Sequence, residues 1–220
     1  MKVALLLCLS CLLFSQGVLG LPGNYLAQTP GNTDFALVGK NSQALIQVAA
    51  QDHKGLLRAV TSLQQDIAKV SGKTLAISHN EQARQMLIIG SLGNNPLIEQ
   101  LINSGKLDVS TITGKWEAFQ IQVISQPLPG VEQALVIVGS DKRGAIYGVF
   151  DLAETLGVSP WHWWADVPVK TSKMLYIKAG TFKVDAPKVK YRGIFLNDEY
   201  PALTSWVMQK YGGYNHQFYQ

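Results

Sequence analysis

The sequence predicts an α/β fold, because short apolar segments alternate with segments of helical periodicity along most of the chain. The runs 86–90 and 134–139 are continuously apolar, as in strands that are covered on both faces. The chain of 220 residues is 47% hydrophobic, which is enough for a sizeable core. We therefore expect an α/β layered domain over residues 35–187.

The helices and strands can be placed in order from the apolar periodicity and from the Gly, Pro and capping residues that begin or end each element. Asp52 is expected to cap a helix over 53–70 that Gly72 ends, with its apolar residues on one face. Asn95-Pro96 opens a short helix to residue 102, and a third helix over 141–156 turns Phe150 and its apolar neighbours inward. Because 119–123 alternates strictly, that strand should have one wet face. The expected strands are 35–38, 44–48, 74–78, 86–90, 119–123 and 134–139.

The N-terminus predicts export. Lys2, an apolar run over 3–14 and small residues up to Gly20 form a signal peptide over residues 1–20, followed by a loose leader over 21–34 that is rich in Gly, Pro, Asn and Thr. Both cysteines, Cys8 and Cys11, lie in the signal peptide, so the mature chain has no disulfide, thiolate nucleophile or cysteine metal site. A lipoprotein is the alternative, although neither cysteine has a good lipobox. The destination is the periplasm or the exterior.

The net charge and the positions of the histidines indicate which binding partners the sequence does not favour. Lys and Arg number 19 against 15 Asp and Glu, a surplus of +4 that is small and evenly scattered. It therefore predicts neither nucleic-acid binding nor attachment to a membrane once the signal peptide is removed. His53, His79 and His216 are isolated, without metal-ligand spacing, so we expect no metal and no cofactor.

The turn 139–144, Gly-Ser-Asp-Lys-Arg-Gly, follows a buried strand and opens a helix. A helix N-terminus attracts phosphate, but neither common glycine motif is present and Asp141 would repel an anion. The structural alternative is that Gly139 makes the turn, Ser140 or Asp141 caps the helix, and Gly144 and Gly148 allow close packing.

Residues 159–168 contain Trp161, Trp163 and Trp164 beside Pro160, with no helical period. Such a loop either packs at a domain boundary or faces a ligand. Indole faces suit the apolar faces of sugar rings, and His162 and Asp166 add polar groups.

Residues 190–199 form an expected strand that ends in Asn197, Asp198 and Glu199, with Pro201 in the first turn of a following helix. In a β/α barrel, carboxylates at this end of a strand point into the site. Capping of the helix by Asn197 or Asp198 is the alternative.

Residues 134–148, 157–168 and 191–199 resemble glycoside hydrolase family 115, the xylan α-glucuronidases, and 206–219 also looks like that family. The resemblance implies that residues 188–220 are the first strand and helix of a truncated (β/α)8 barrel, and that the chain is an N-terminal fragment. It implies hydrolysis of the α-1,2 bond that joins glucuronic acid, or its 4-O-methyl form, to xylan, with inversion.

The resemblance also implies roles for residues. Asp198 is the candidate base or water-positioner, and the general acid is expected on later barrel strands. The expected substrate contacts are Asn197, Glu199, Trp161, Trp163, Trp164 and Asp166. Glucuronoxylan or its oligosaccharides would then be the partner. The alternatives are a non-catalytic carbohydrate-binding or accessory module and, disfavoured by the signal peptide and the glycine turns, a nucleotide-binding protein.

Overall fold

The computed structural model describes residues 25–162 and 165–219. The chain divides into two compact units, Met1–Ala186 and Pro187–Gln220, here called unit 1 and unit 2. Unit 1 is a sheet with helices on both of its faces, so the predicted α/β class is confirmed. No helix in the described ranges is long and apolar enough to cross a membrane.

The main sheet of unit 1 has six strands in the order β3-β2-β4-β6-β5-β8. The first four are parallel, and β5 runs antiparallel to both of its neighbours. A separate antiparallel pair joins β1 to β7. The strands are β1 (Phe35–Val38), β2 (Leu45–Val48), β3 (Ile77–Ser78), β4 (Gln85–Ser91), β5 (Phe119–Ser125), β6 (Gln133–Gly139), β7 (Leu175–Ile177) and β8 (Thr181–Val184).

Three helices cover this sheet. Helices α1 (Lys54–Ser71) and α3 (Lys142–Leu156) share one core with β1, β7 and one face of the sheet. Helix α2 (Pro96–Asn103) and the segment 107–112 build a second core on the opposite face. Alternate residues of β4 and β6 enter the two cores, which explains why these strands are continuously apolar.

Helix ends follow the sequence with one exception. The side chains of Asn95 and Asp141 cap α2 and α3 as predicted, and Gly72 ends α1 in the left-handed conformation. Asp52 does not cap α1, whose N-cap is His53 without a side-chain hydrogen bond. The Asp52 carboxylate instead accepts hydrogen bonds from Ser91, which draws it away from the helix amides.

Two expected burial patterns are wrong. Gln120, predicted on a wet face of β5, is 1% exposed, because the segment 107–112 covers that face and the carbonyl of Asp108 accepts its amide. Phe150, predicted inward on α3, is 49% exposed. The buried stripe of α3 runs through Val149 and Leu152, which leaves Phe150 outside it.

The segment before β1 is also tighter than its composition suggests. Tyr25 is 1% exposed and packs on Phe182 with ring centroids 4.7 Å apart. Leu26 bridges to Ile177, and the amide of Ala27 donates to the carbonyl of Tyr176. The expected loose leader is therefore ordered from Tyr25 to Ala27, while residues 1–24, with the expected signal peptide, lie outside the described residues.

Unit 2 contains α4 (Leu203–Tyr211) and the short α5 (His216–Tyr219). Residues 191–198, predicted as a strand, form no strand, because a strand needs a hydrogen-bonded neighbour and none lies beside this segment among the described residues. Pro201 precedes α4 instead of lying in its first turn, since the N-cap is Ala202. Aromatic contacts between Tyr211, Tyr214 and Phe218 join the two helices.

Candidate functional site

The turn after β6 is a packing device. A Cβ on Gly139 would lie 1.9 Å from the backbone nitrogen of Ala145, and one on Gly144 would lie 2.2 Å from the carbonyl oxygen of Ala118. The Ser140 hydroxyl binds the backbone of Ala118, and Asp141 accepts the amide of Gly144 at 2.8 Å. These groups hold the chain together, which agrees with the structural interpretation of this turn.

Glu117, which follows Trp116 in a segment whose sequence indicates only a loop contact, is a buried carboxylate. It is 5% exposed, has a left-handed φ of 56°, and pairs with the Arg143 guanidinium at 2.9 Å. Arg143 also donates to the hydroxyl of Tyr147 at 3.1 Å. The spacing of Arg143 and Tyr147 on one helical face is visible in the sequence, but their meeting with Glu117 depends on the antiparallel placement of β5.

The predicted tryptophan loop lies in unit 1. Trp161 is 64% exposed, so its indole is no part of the core. The loop is held by its own polar groups: the Trp161 amide donates to the Ser159 hydroxyl, and a ring nitrogen of His162 lies 2.8 Å from the carbonyl oxygen of Val167. Asp166 is exposed, with a left-handed φ of 51°. Trp163 and Trp164 lie outside the described residues.

Asn197, Asp198 and Glu199 lie in unit 2, and all three are exposed. The Asn197 side chain accepts the amide of Glu199 at 3.1 Å, so these two residues are brought together in one turn. The Thr204 hydroxyl donates to the backbone carbonyl of Asp198. No side chain caps α4, so capping does not explain Asn197 or Asp198.

A second polar cluster lies where β2 and β4 end. Asp52 is 4% exposed, and its carboxylate accepts the Ser91 hydroxyl at 3.0 Å and the Ser91 amide at 3.2 Å. Asn95, which is fully buried, donates to Gln47 and to the carbonyl of Ile89 while it caps α2. The cluster satisfies its own polar atoms and fastens the start of both helices to the sheet.

Tyr25 and Asp151 form a partly buried pair between the N-terminal segment and α3. The Tyr25 hydroxyl donates to the carboxylate at 2.7 Å. Burial, and then the nearby charge of Asp151, raise the pKa of Tyr25. Burial also raises the pKa of Asp151, although the hydrogen bond from Tyr25 works against that rise. The structure therefore favours the neutral form of both groups.

Within the described ranges, no group of three or more His, Cys, Asp or Glu residues is placed to hold a metal ion. His79, one of the isolated histidines, has a ring nitrogen 2.8 Å from the carbonyl oxygen of Val48. Its role is to tie the end of β3 to β2.

Comparison with known families and structures gives two family matches. Residues 36–152 match the model of the glycosyl hydrolase family 67 N-terminus, and residues 184–220 match that of glycosyl hydrolase family 115. A solved family 115 4-O-methyl-α-glucuronidase, described as specific for decorated arabinogalactans, is 30% identical, with a TM-score of 0.68. The match covers 83% of this chain and 22% of that enzyme, so the chain spans about a fifth of its length.

Two solved β-N-acetylhexosaminidases are more distant. The Streptomyces coelicolor enzyme is 14% identical with a TM-score of 0.43, covering 74% of this chain and 25% of that one. The Streptomyces plicatus enzyme is 13% identical with a TM-score of 0.45, covering 79% and 27%. These likenesses are too weak to assign a function. Among curated protein sequences, none matches significantly.

Proposed function

We propose that this chain is part of an exported α-glucuronidase, because it belongs to the glycosyl hydrolase family 67 N-terminus over residues 36–152 and matches family 115 over residues 184–220. The substrate is a polysaccharide decorated with glucuronic acid or its 4-O-methyl form. The likeness of 83% of this chain to the solved 4-O-methyl-α-glucuronidase is the observation that carries the proposal.

In this proposal the enzyme hydrolyses an α-1,2 bond with inversion. A base takes one proton from water as its oxygen attacks the anomeric carbon, and an acid protonates the departing sugar oxygen. Asp198 acts as the base or positions the water, and the general acid lies on later barrel strands. Residues 188–220 belong to that barrel, in which 191–198 would become a strand only when paired with a neighbouring strand. The exposed Asp198 carboxylate, which does not cap α4, supports this assignment.

Sugar contacts complete the proposed site. Asn197 and Glu199 contact the substrate from unit 2. From unit 1, the exposed Trp161 indole supports a role for the loop that also contains Trp163, Trp164 and Asp166. An indole that is not needed for the core is free to stack on a sugar ring.

Xylan is the first substrate to test, because residues 134–148, 157–168 and 191–199 resemble the xylan α-glucuronidases of family 115. Decorated arabinogalactan is the second, since the solved relative is described with that specificity. Release of glucuronic acid from each polymer, measured on the enzyme that contains this chain, decides between them. If neither polymer is cleaved but both bind, the protein is a carbohydrate-binding module.

Asp198→Asn tests the mechanism. Asn keeps the size of the side chain but removes its charge, so turnover should fall by about 10²–10⁴ if the carboxylate transfers the proton. Asp108→Asn is the matched control, since this exposed carboxylate lies in unit 1 and bonds to its near neighbour Ser110. Near-normal turnover of Asp198→Asn would contradict the assignment. The 220 residues alone, which contain one expected barrel strand, should release nothing.

A further inference from the structure

Unit 1 contains a groove of about 630 Å³ that none of the predicted site residues lines. Its walls come from three segments: residues 26–30, the C-terminal end of α3, and residues 170–176. The volume is within the usual range for small-ligand sites.

The walls of the groove are fixed by backbone hydrogen bonds. The Lys170 amide donates to the carbonyl of Gly157 at 3.2 Å, and the Ser172 amide donates to the carbonyl of Val70 at 2.9 Å. On the opposite wall, the Ala27 amide donates to the carbonyl of Tyr176 at 2.8 Å. The groove is therefore formed before any ligand arrives, which lowers the cost of ordering on binding.

The hydrogen bond between the Lys170 amide and the Gly157 carbonyl links the groove to the tryptophan loop. The chain leaves the groove at Gly157, forms the loop 159–168, and returns at Lys170. Since Gly157 and Lys170 both line the groove, the loop begins and ends at its edge. The exposed indole of Trp161 belongs to this loop.

The lining suits a sugar chain that carries carboxylates. Gln28 and Thr171 in the lining carry an amide and a hydroxyl group, which are groups that hydrogen-bond sugar hydroxyls. Lys170 and Lys173 face a single acidic residue of the lining, Glu154. Among the described residues, neither lysine forms an ion pair.

We propose that this groove binds a polysaccharide segment through its hydroxyl groups and holds a uronic acid carboxylate with Lys170 and Lys173. The choice of a glycan that carries glucuronic acid rests on the proposed function. The existence of the groove and the two lysines in its lining are independent of that function. The competing explanation is that the two lysines only offset the negative C-terminal ends of α1 and α3.

The test measures binding by the 220-residue chain without turnover. The two probes are unsubstituted xylotetraose and xylotetraose that carries one 4-O-methylglucuronic acid. The binding of each is measured from the amide chemical shifts of the protein in nuclear magnetic resonance titrations. We expect the decorated sugar to shift residues 154–157 and 170–176. Its affinity should exceed that of the neutral sugar at least about fivefold, and added salt should reduce that difference.

Lys170→Gln/Lys173→Gln should lower the affinity for the decorated sugar at least about fivefold. The control is Lys40→Gln/Lys142→Gln, which removes two exposed lysines outside the groove and should bind as the parent does. Gln28→Leu should weaken the binding of both sugars equally, because it removes an amide and no charge.

Three results would overturn the proposal: no shifts at the groove, equal affinity for the two sugars, or unchanged binding by the groove variant. A groove variant with a lower melting temperature and unchanged binding would assign the lysines to the helix ends. Failure of the glucuronidase assay leaves this result unaffected, since the binding measurement involves no hydrolysis.

Discussion

Gly144→Ala tests how tightly the segment before β5 is pressed against α3. The added Cβ would lie 2.2 Å from the carbonyl oxygen of Ala118, so the backbone must move by about 1 Å to reach an ordinary contact. Overpacking costs about 1–3 kcal/mol. The movement also strains the hydrogen bonds between the Ser140 hydroxyl and the amide and carbonyl of Ala118, and the loss of one costs about 0.5–1.5 kcal/mol.

Alanine regains at most about 1 kcal/mol of helix propensity, which leaves a net loss of about 2 kcal/mol. In a domain of this size that corresponds to a fall in melting temperature of about 4–8 °C. Circular dichroism during heating measures it. The matched control is Gly55→Ala, also in the first turn of a helix, whose Cβ would meet only Ile146 at 3.4 Å. If both variants melt at the same temperature, the close approach of Ala118 does not limit stability.

The remaining predictions concern single side chains. Asn95→Ala should destabilise by about 2–4 kcal/mol in denaturant titrations, because it removes the cap of α2 and the donor to the side-chain oxygen of Gln47; a loss under about 1 kcal/mol would contradict this. Trp161→Ala should change stability by less than about 0.5 kcal/mol yet weaken glycan binding, and a large stability loss would return this indole to the core. Because the pKa of Asp151 is raised on folding, its contribution to stability is present below the unfolded pKa and is lost as pH rises through the folded one. Asp151→Asn, which can still accept from Tyr25, should therefore gain stability relative to the parent as the pH rises above the unfolded carboxyl value of about 4; a difference that stays constant with pH would contradict it.

The fold of unit 1 could largely be predicted because its signals are local. Pro96 and Gly72 mark helix ends through their own backbone preferences, and the apolar run of β4 requires cover on both faces. Gln120 was mispredicted because its burial depends on the segment 107–112, which no periodicity of β5 reveals. Asp52 was mispredicted because Ser91, far along the chain, competes for its carboxylate.

The sequence indicates which residue types belong to the candidate site, but it does not predict how they are arranged in space. The tryptophan-rich loop is conspicuous in composition, and the structure shows its Trp161 exposed. The pairing of Glu117 with Arg143 could not be predicted, because it depends on β5 lying antiparallel beside β6. For 191–198 the polar residues at the end were visible, but a strand cannot form without neighbours that lie outside its own sequence.

The cluster of Asp52, Ser91 and Asn95 has a consequence for the role of unit 1. Adjacent parallel strands β2 and β4 lead to helices on opposite faces, so the chain departs from their ends in opposite directions. Many α/β proteins bind their ligands in the crevice that such a divergence opens. Here the protein's own side chains occupy that position and satisfy one another. The hydrogen bond between Asp52, which precedes α1, and Ser91, at the end of β4, therefore fastens the two diverging connections to each other as well as to the sheet.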